Sequence, residues 1–406
     1  MSFFLFLNSL LIWLFIELFL WALFRWLRAD FQWLVMGVDK NPVMNKLGLK
    51  KFFEKGWDSE LGWVRKPYTT GMEKGRNSKK TQFSINKYGA RSNPGYDNQD
   101  ARISLFGDSY AFSRQVDDNK TWAHMVSKRL NENILNFGVG NYGLDQALLK
   151  LKREQKNRKT ELYIIMVVPE TICRVQSAWK HYSEYGNVFA FKPRFVLEEN
   201  GLVLIPNIIN TKEKFFKYED YLDTVKSNDY FYQTKFLKDI LTFPFLYTFL
   251  RSLKRNGPLV FSLLRTKFFK DQGLVSLPFQ KIIRNNHLIS MSLYRNKDSL
   301  KLMLALVAEC KKITNNSKFL FCMTPQLQDI ELLKKNGVYY DNFLKEASKI
   351  TPVLDLTDVL IAQDDIGKCY VNDIYGGHLS DYGNKVIAQN ISEKIDNMFT
   401  HKRFQK

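Results

Sequence analysis

Residues Arg102–Phe112, R-I-S-L-F-G-D-S-Y-A-F, decide the fold. The apolar run Ile103–Phe106 stops abruptly at Gly107-Asp108-Ser109, the pattern of a buried strand that ends at a sheet edge. Glycine permits a tight turn there, and a serine stands where the strand stops. Ser109 is therefore the candidate nucleophile. Such a serine needs a base, an orienting acid and hydrogen-bond donors from the rest of the chain.

Outward from this stretch the chain alternates. Thr121–Leu130 reads as a helix with Trp122, Met125, Val126 and Leu130 on one face. Asn133–Phe137 is a second short strand, Gly138–Gly143 a glycine-rich loop and Leu144–Arg153 a helix. Leu162–Val168 is a third strand, apolar throughout. Alternating strands and helices with continuous apolar strands predict a parallel sheet covered on both faces. Arg174–Ser290 breaks the rhythm with a dense run of aromatics, Trp179, Tyr182, Tyr185, Phe189, Phe191 and Phe195. Inside it, Tyr247–Lys270 carries six basic residues and no acidic ones. Phe245, Leu246, Phe249, Leu250 and Leu253 form a helical apolar face there, read as an amphipathic helix packing on the core, with a lid or a membrane-surface contact as the alternative. The alternation resumes with a helix at Ser299–Thr314, a strand at Lys318–Met323, helices at Gln328–Lys335 and Asn342–Ser348, a strand at Val353–Leu356 and a last helix at Gly383–Met398. The expected organisation is an N-terminal membrane anchor over 1–30, an extended region over 31–100, and an α/β domain over 101–400 interrupted at about 175–295.

The 406 residues carry a formal charge of +19. The basic residues are scattered and no nucleic-acid recognition motif accompanies them. A basic surface beside anionic lipid or an acidic glycan is the better fit. Cys173, Cys310, Cys322 and Cys369 show no paired spacing, and the five histidines lie far apart, so buried thiols are expected and neither a metal site nor a cofactor. Phe3–Phe24 is nearly continuous apolar sequence, about long enough for a hydrocarbon core of roughly 30 Å, with Trp21 and Trp26 near one end where interfacial aromatics belong. It lacks a basic leader and a small-residue cleavage site, which argues against a removable signal peptide. Glu17 within it needs a proton, a partner or an interface. A single-pass anchor through residues 3–24 is expected, with a re-entrant hairpin including Phe31–Met36 as the alternative. The nearby Lys and Arg all follow the run, which by the positive-inside rule leaves the bulk of the chain cytoplasmic; the side of the membrane stays open.

A serine hydroxyl needs a base. His378 is the candidate, in Val371–Asn384, V-N-D-I-Y-G-G-H-L-S-D-Y-G-N, a glycine-bearing loop before the last helix. Such loops lie over the C-terminal edge of a parallel sheet. His124 falls within a helix and suits a structural role. Asp373 is the candidate to orient the imidazole, with Asp381 a lesser substitute. Oxyanion donors are expected from Asn136–Gly143, N-F-G-V-G-N-Y-G. Its G-x-G-x-x-G spacing also matches a dinucleotide fingerprint, but it follows the second strand, and no acid closes the next strand about twenty positions on.

Three stretches together resemble the SGNH, or GDSL-like, hydrolase family: Phe106–Phe112 (F-G-D-S-Y-A-F), Asn136–Gln146 (N-F-G-V-G-N-Y-G-L-D-Q) and His378–Asn384 (H-L-S-D-Y-G-N). The resemblance spans Ala101–Glu170 and about Leu302–Met398, and implies a flavodoxin-like three-layer α/β/α fold with a long, mostly helical insertion. It implies Ser109 as nucleophile and His378 as base, with Ser109 and Gly140 or Asn141 supplying oxyanion donors. Three positions depart from the family pattern. The second-block glycine falls at Asn141 or its neighbour Gly140. The third-block asparagine has no counterpart in Val168–Ile172, V-P-E-T-I, leaving Asn187 as a candidate donor. The acid three residues before the histidine is replaced by Tyr375, with Asp373 the nearest acid. The implied activity is that of a membrane-anchored serine esterase on an acylated glycan or lipid-type ester. The alternatives are an O-acyltransferase of surface polysaccharide and a non-catalytic glycan-binding or scaffold protein. No nucleic-acid partner, metal or cofactor is expected.

Overall fold

The computed structural model describes residues 2–269, 277–371 and 377–400. Five strands form the central sheet: β1 (Ala101–Gly107), β2 (Asn133–Asn136), β3 (Leu162–Val167), β4 (Lys318–Met323) and β5 (Val353–Asp355). All neighbours pair in parallel, in the spatial order β2-β1-β3-β4-β5. This is the flavodoxin-like doubly wound order, in which the chain reverses direction across the sheet between β1 and β3 and leaves a crevice at their C-terminal ends.

The principal helices are α1 (Ser2–Asp30), α2 (Trp122–Leu130), α3 (Leu144–Asn157), α4 (Phe245–Arg251), α5 (Leu253–Phe269), α6 (Leu277–Leu293), α7 (Lys297–Thr314) and α8 (Asp381–Thr400). Alternation along the strands sorts their side chains between two cores. Ile103, Leu105, Ile164 and Met166 pack with Trp122 and Val126 of α2 and Ile387 and Ile391 of α8. Phe106, Tyr163, Ile165 and Val167 pack with Leu144 and Leu148 of α3 and Met303 and Val307 of α7. The result is a three-layer α/β/α domain. Local signals set the helix ends: the Thr121 hydroxyl accepts the His124 N–H at 3.0 Å at the start of α2, and Asn131, at φ 54°, closes it.

The chain between β3 and β4 adds no strand to this sheet. It forms a hairpin, Arg194–Glu198 with Gly201–Ile205, an aromatic cluster in which Trp179 stacks on Phe191 at 4.6 Å, and helices α4 to α6. The apolar face of α4 does not pack on the sheet. Phe245 joins Leu259 and Leu263 of α5 and Ile282 of α6 against Phe24 and Leu27 of α1. Both faces of the sheet are already filled by other helices, so Phe245 and Phe249 find α1 instead, while Leu250 and Leu253 of the expected face stay exposed.

Helix α1 is long and apolar enough from Phe3 to Asp30 to cross a membrane, and most of its apolar side chains up to Phe19 are exposed. Its last turn is clamped to the domain. Arg28 forms a two-pronged ion pair with Asp39 at 2.6 and 2.7 Å, and the Asp39 carbonyl accepts His181 Nε2–H at 2.9 Å. Residues 31–100 hold the segment after Ser109. The buried guanidinium of Arg91 donates to the carbonyls of Phe112, Ser113 and Val116 at 2.7, 2.6 and 2.5 Å and to Asp118 at 2.8 Å.

Candidate active site

Ser109 follows directly on the C-terminal end of β1, beside the β1–β3 crevice. Gly107 makes the turn possible: at φ 142°, a Cβ there would lie 1.8 Å from the Met166 carbonyl oxygen. Asp108 then fixes the turn from below. Its fully buried carboxylate accepts the N–H of Tyr110 at 2.8 Å and of Val168 at 2.9 Å, and Arg174 Nη1 at 3.3 Å. Burial raises the Asp108 pKa, with Arg174 opposing the rise. The backbone after Ser109 coils into turns, with Arg114 N–H donating to the Ser109 carbonyl at 3.0 Å.

The candidate base and the candidate nucleophile meet. His378 Nε2 lies 2.8 Å from Ser109 Oγ, although 269 residues separate them. The His378 loop is held by Val371 N–H on the His378 carbonyl at 2.7 Å and by the Tyr110 hydroxyl on the Gly377 carbonyl at 3.1 Å. The Tyr110 and His378 rings lie 5.0 Å apart. The motif's far end, Asn384, accepts the Trp122 N–H at 3.0 Å and so ties α8 to the start of α2.

The group on the other side of the imidazole was not legible beforehand. His378 Nδ1 lies 3.0 Å from Gln115 Oε1, which also accepts the His378 backbone N–H at 3.0 Å. The Gln115 amide nitrogen donates to the Lys74 carbonyl at 2.8 Å. These partners require the amide oxygen to face His378, so Nδ1 carries the proton and Nε2 presents its lone pair to the serine. Gln115 reaches this position from a backbone at φ 71°. Asp373 lies outside the described residues. Asp381 pairs with Lys120 at 2.6 Å on the surface, away from His378. His124 contacts Asn93 at 2.9 Å. Burial, then the charges of Arg114 and Arg174, push the His378 pKa well below the ordinary imidazole value, so the ring is neutral at neutral pH.

The loop after β2 continues its ladder beyond the strand. Phe137 N–H donates to the Leu105 carbonyl at 2.8 Å and Val139 N–H to the Gly107 carbonyl at 3.0 Å. Gly140 and Asn141 follow directly on this ladder, with Asn141 in the left-handed region at φ 66°. Among the described residues, the N–H groups of Ser109, Gly140 and Asn141 have no acceptor. Residues 168–172 offer no asparagine. They supply the Val168 N–H and the buried Glu170–Arg174 pair at 2.7 Å. Asn187 lines the neighbouring cleft and spends one amide hydrogen on the Glu184 carbonyl at 3.0 Å.

That cleft, of about 590 Å³, is lined by Gly140, Asn141 and Arg114 and not by Ser109 or His378 themselves. Trp63 and Phe189 form apolar wall, and Lys55, Arg65 and Arg114 outnumber Glu73. Among the described residues no cluster of His, Cys, Asp and Glu could hold a metal ion.

No protein-family profile and no curated protein sequence matches the chain. Solved structures do. A lipolytic protein of the G-D-S-L family from Veillonella parvula aligns with 72% of this chain and 96% of its own at 10% identity, with a TM-score of 0.32. A family two carbohydrate esterase from Clostridium thermocellum, solved with cellohexaose, aligns over 74% of this chain and 65% of its own, also at 10% identity, with a TM-score of 0.33. Likeness this remote assigns no residue its role.

Proposed function

We propose that the protein is a membrane-anchored serine esterase that removes O-acyl groups from a glycan or lipid-linked ester. One observation carries this reading: Ser109 Oγ and His378 Nε2 stand at 2.8 Å with the far side of the ring fixed. That is the geometry a hydroxyl needs to become a nucleophile.

Ser109 Oγ attacks the acyl carbonyl carbon as His378 Nε2 takes the hydroxyl proton. The negative charge on the former carbonyl oxygen is met by the N–H groups of Ser109 and of Gly140 or Asn141. Collapse breaks the bond to the alcohol, which leaves with the proton from His378. Water, deprotonated by the same imidazole, then cleaves the acyl-serine. Gln115 is the positioning residue that holds the tautomer. The family pattern has its acid at the position of Tyr375, and Asp373, two residues earlier, is the nearest carboxylate for that role. The basic, aromatic-walled cleft suits an acidic glycan beside the ester, and it has room for an acceptor hydroxyl in place of water, which makes O-acyl transfer the second reading. Helix α1 would keep the domain at a membrane.

A fluorophosphonate probe tests the core of the proposal. It is expected to label the full chain and to leave Ser109→Ala unlabelled. A folded wild-type protein that resists the probe would refute the esterase reading. With labelling established, release of free acetate from an acetylated acidic glycan distinguishes hydrolysis from transfer to a second glycan.

A further inference from the structure

We infer that Phe243–Leu250 is a second membrane-embedded element, seated against α1 within the hydrocarbon of the bilayer, with the exposed apolar face of α5 lying on the interface. It rests on α1 spanning the membrane. Two contacts set its depth. The Phe243 ring meets the Trp13 ring edge-on at 5.6 Å. Glu17, only 3% exposed, accepts the N–H of Phe245 at 2.5 Å and of Leu246 at 3.1 Å. Trp13 lies eight residues before the interfacial Trp21, about 12 Å deeper at 1.5 Å per residue. The start of α4 therefore reaches well below the interface.

The chemistry is reciprocal. A carboxylate inside an apolar helix is costly unless paired, and the first N–H groups of a helix in hydrocarbon are costly unless accepted. Glu17 and α4 satisfy each other. The outward side chains agree with the placement. Phe243, Tyr247, Leu250, Phe261 and Phe268 are each between 57% and 71% exposed, an apolar patch too large to leave in water without cause, and it continues the exposed apolar surface of α1. The chain is back at the interface by the start of α5, where Arg255 donates to the Trp33 carbonyl at 3.1 Å and pairs with Asp239 at 3.3 Å, and it stays there to Lys267, which lies over the Trp26 ring at 4.4 Å and pairs with Asp30. Lys254, Arg265 and Lys267 along α5 complement anionic headgroups. A bilayer is the occupant that meets both the depth and the charge.

Site-directed spin labelling tests this in the full chain. The four native cysteines are all buried, so single variants Phe243→Cys, Leu250→Cys and Phe261→Cys can be labelled selectively. They are reconstituted into mixed phosphatidylcholine–phosphatidylglycerol vesicles, with Leu11→Cys on α1 and Val203→Cys on the domain as references. Labels at 243, 250 and 261 are expected to collide with oxygen several-fold more than with a water-soluble nickel chelate, as at 11. Labels there that behave like 203, while 11 stays in lipid, overturn the inference and leave α1 spanning. Aqueous behaviour at 11 as well overturns the spanning reading and the inference with it.

Discussion

His378 Nδ1 faces the side-chain carbonyl of Gln115 at 3.0 Å, so a neutral amide holds the ring opposite Ser109. An amide oxygen fixes the tautomer as a carboxylate does, but it would lend no charge to the imidazolium of the proposed attack.

Gln115→Ala is expected to lower kcat by about 10²-fold with KM nearly unchanged, the loss typical of a misplaced base. Gln115→Glu tests the same contact in the other direction. A carboxylate there favours the charged ring, so the acid limb of kcat/KM moves to higher pH. Rates with p-nitrophenyl acetate from pH 4 to 9 read both effects. An unmoved limb in Gln115→Glu would show that Gln115 does not govern His378.

The depressed pKa of His378 makes its own pH signature. The base must be neutral to act, so the acid limb of kcat/KM lies below the ordinary imidazole value of about 6.5. Arg114 is one of the two cations that depress it, so Arg114→Gln raises the limb. Folding follows the same sign. The unfolded chain binds this proton more readily, so the stability His378 contributes is intact above about pH 6.5 and falls as pH drops through that value. Urea denaturation at pH 7 and pH 5 measures the difference.

Two glycines near the serine are expected to behave oppositely. Gly107→Ala forces a Cβ to 1.8 Å from the Met166 carbonyl at φ 142°, and should cost more than about 3 kcal/mol or abolish folding. Gly140→Ala meets nothing within 4 Å and should stay within about 1 kcal/mol of wild type. Thermal unfolding of both variants separates a steric need from an open one.

Arg91→Ala removes a buried cation from four acceptors in the segment after Ser109. The expected loss is about 3–5 kcal/mol, as for breaking other buried ion pairs. Fluorophosphonate labelling at a temperature where the variant is still folded should fall too, because Gln115 sits in the segment that Arg91 holds.

The strands, and the position of Ser109 at a strand end, were legible because a buried parallel strand is written locally, as an apolar run that ends in glycine. His378 was legible from its loop and motif. Gln115 was not. Its role exists only once a left-handed turn at residue 115 meets a loop 263 residues away, and an amide does not stand out as a catalytic partner. Residues 31–100 looked uninformative for a similar reason. Arg91 and Trp63 act on partners distant in sequence, on Phe112 and Ser113 and on the Gly140 carbonyl at 2.9 Å. The apolar face at 245–253 was visible, but neither its partner nor the exposure of Leu250 and Leu253 was, because amphipathicity reports an apolar face and not what covers it.

The clamp of Arg28 and His181 on Asp39 has a consequence for reach. A catalytic head on a slack tether sweeps a volume and can meet substrates at many elevations. A head bolted to its anchor within a few residues cannot. With α1 in a bilayer, Ser109 would work at one fixed altitude above the lipid, and the esters it can serve would be chosen first by how far they protrude and only then by their chemistry.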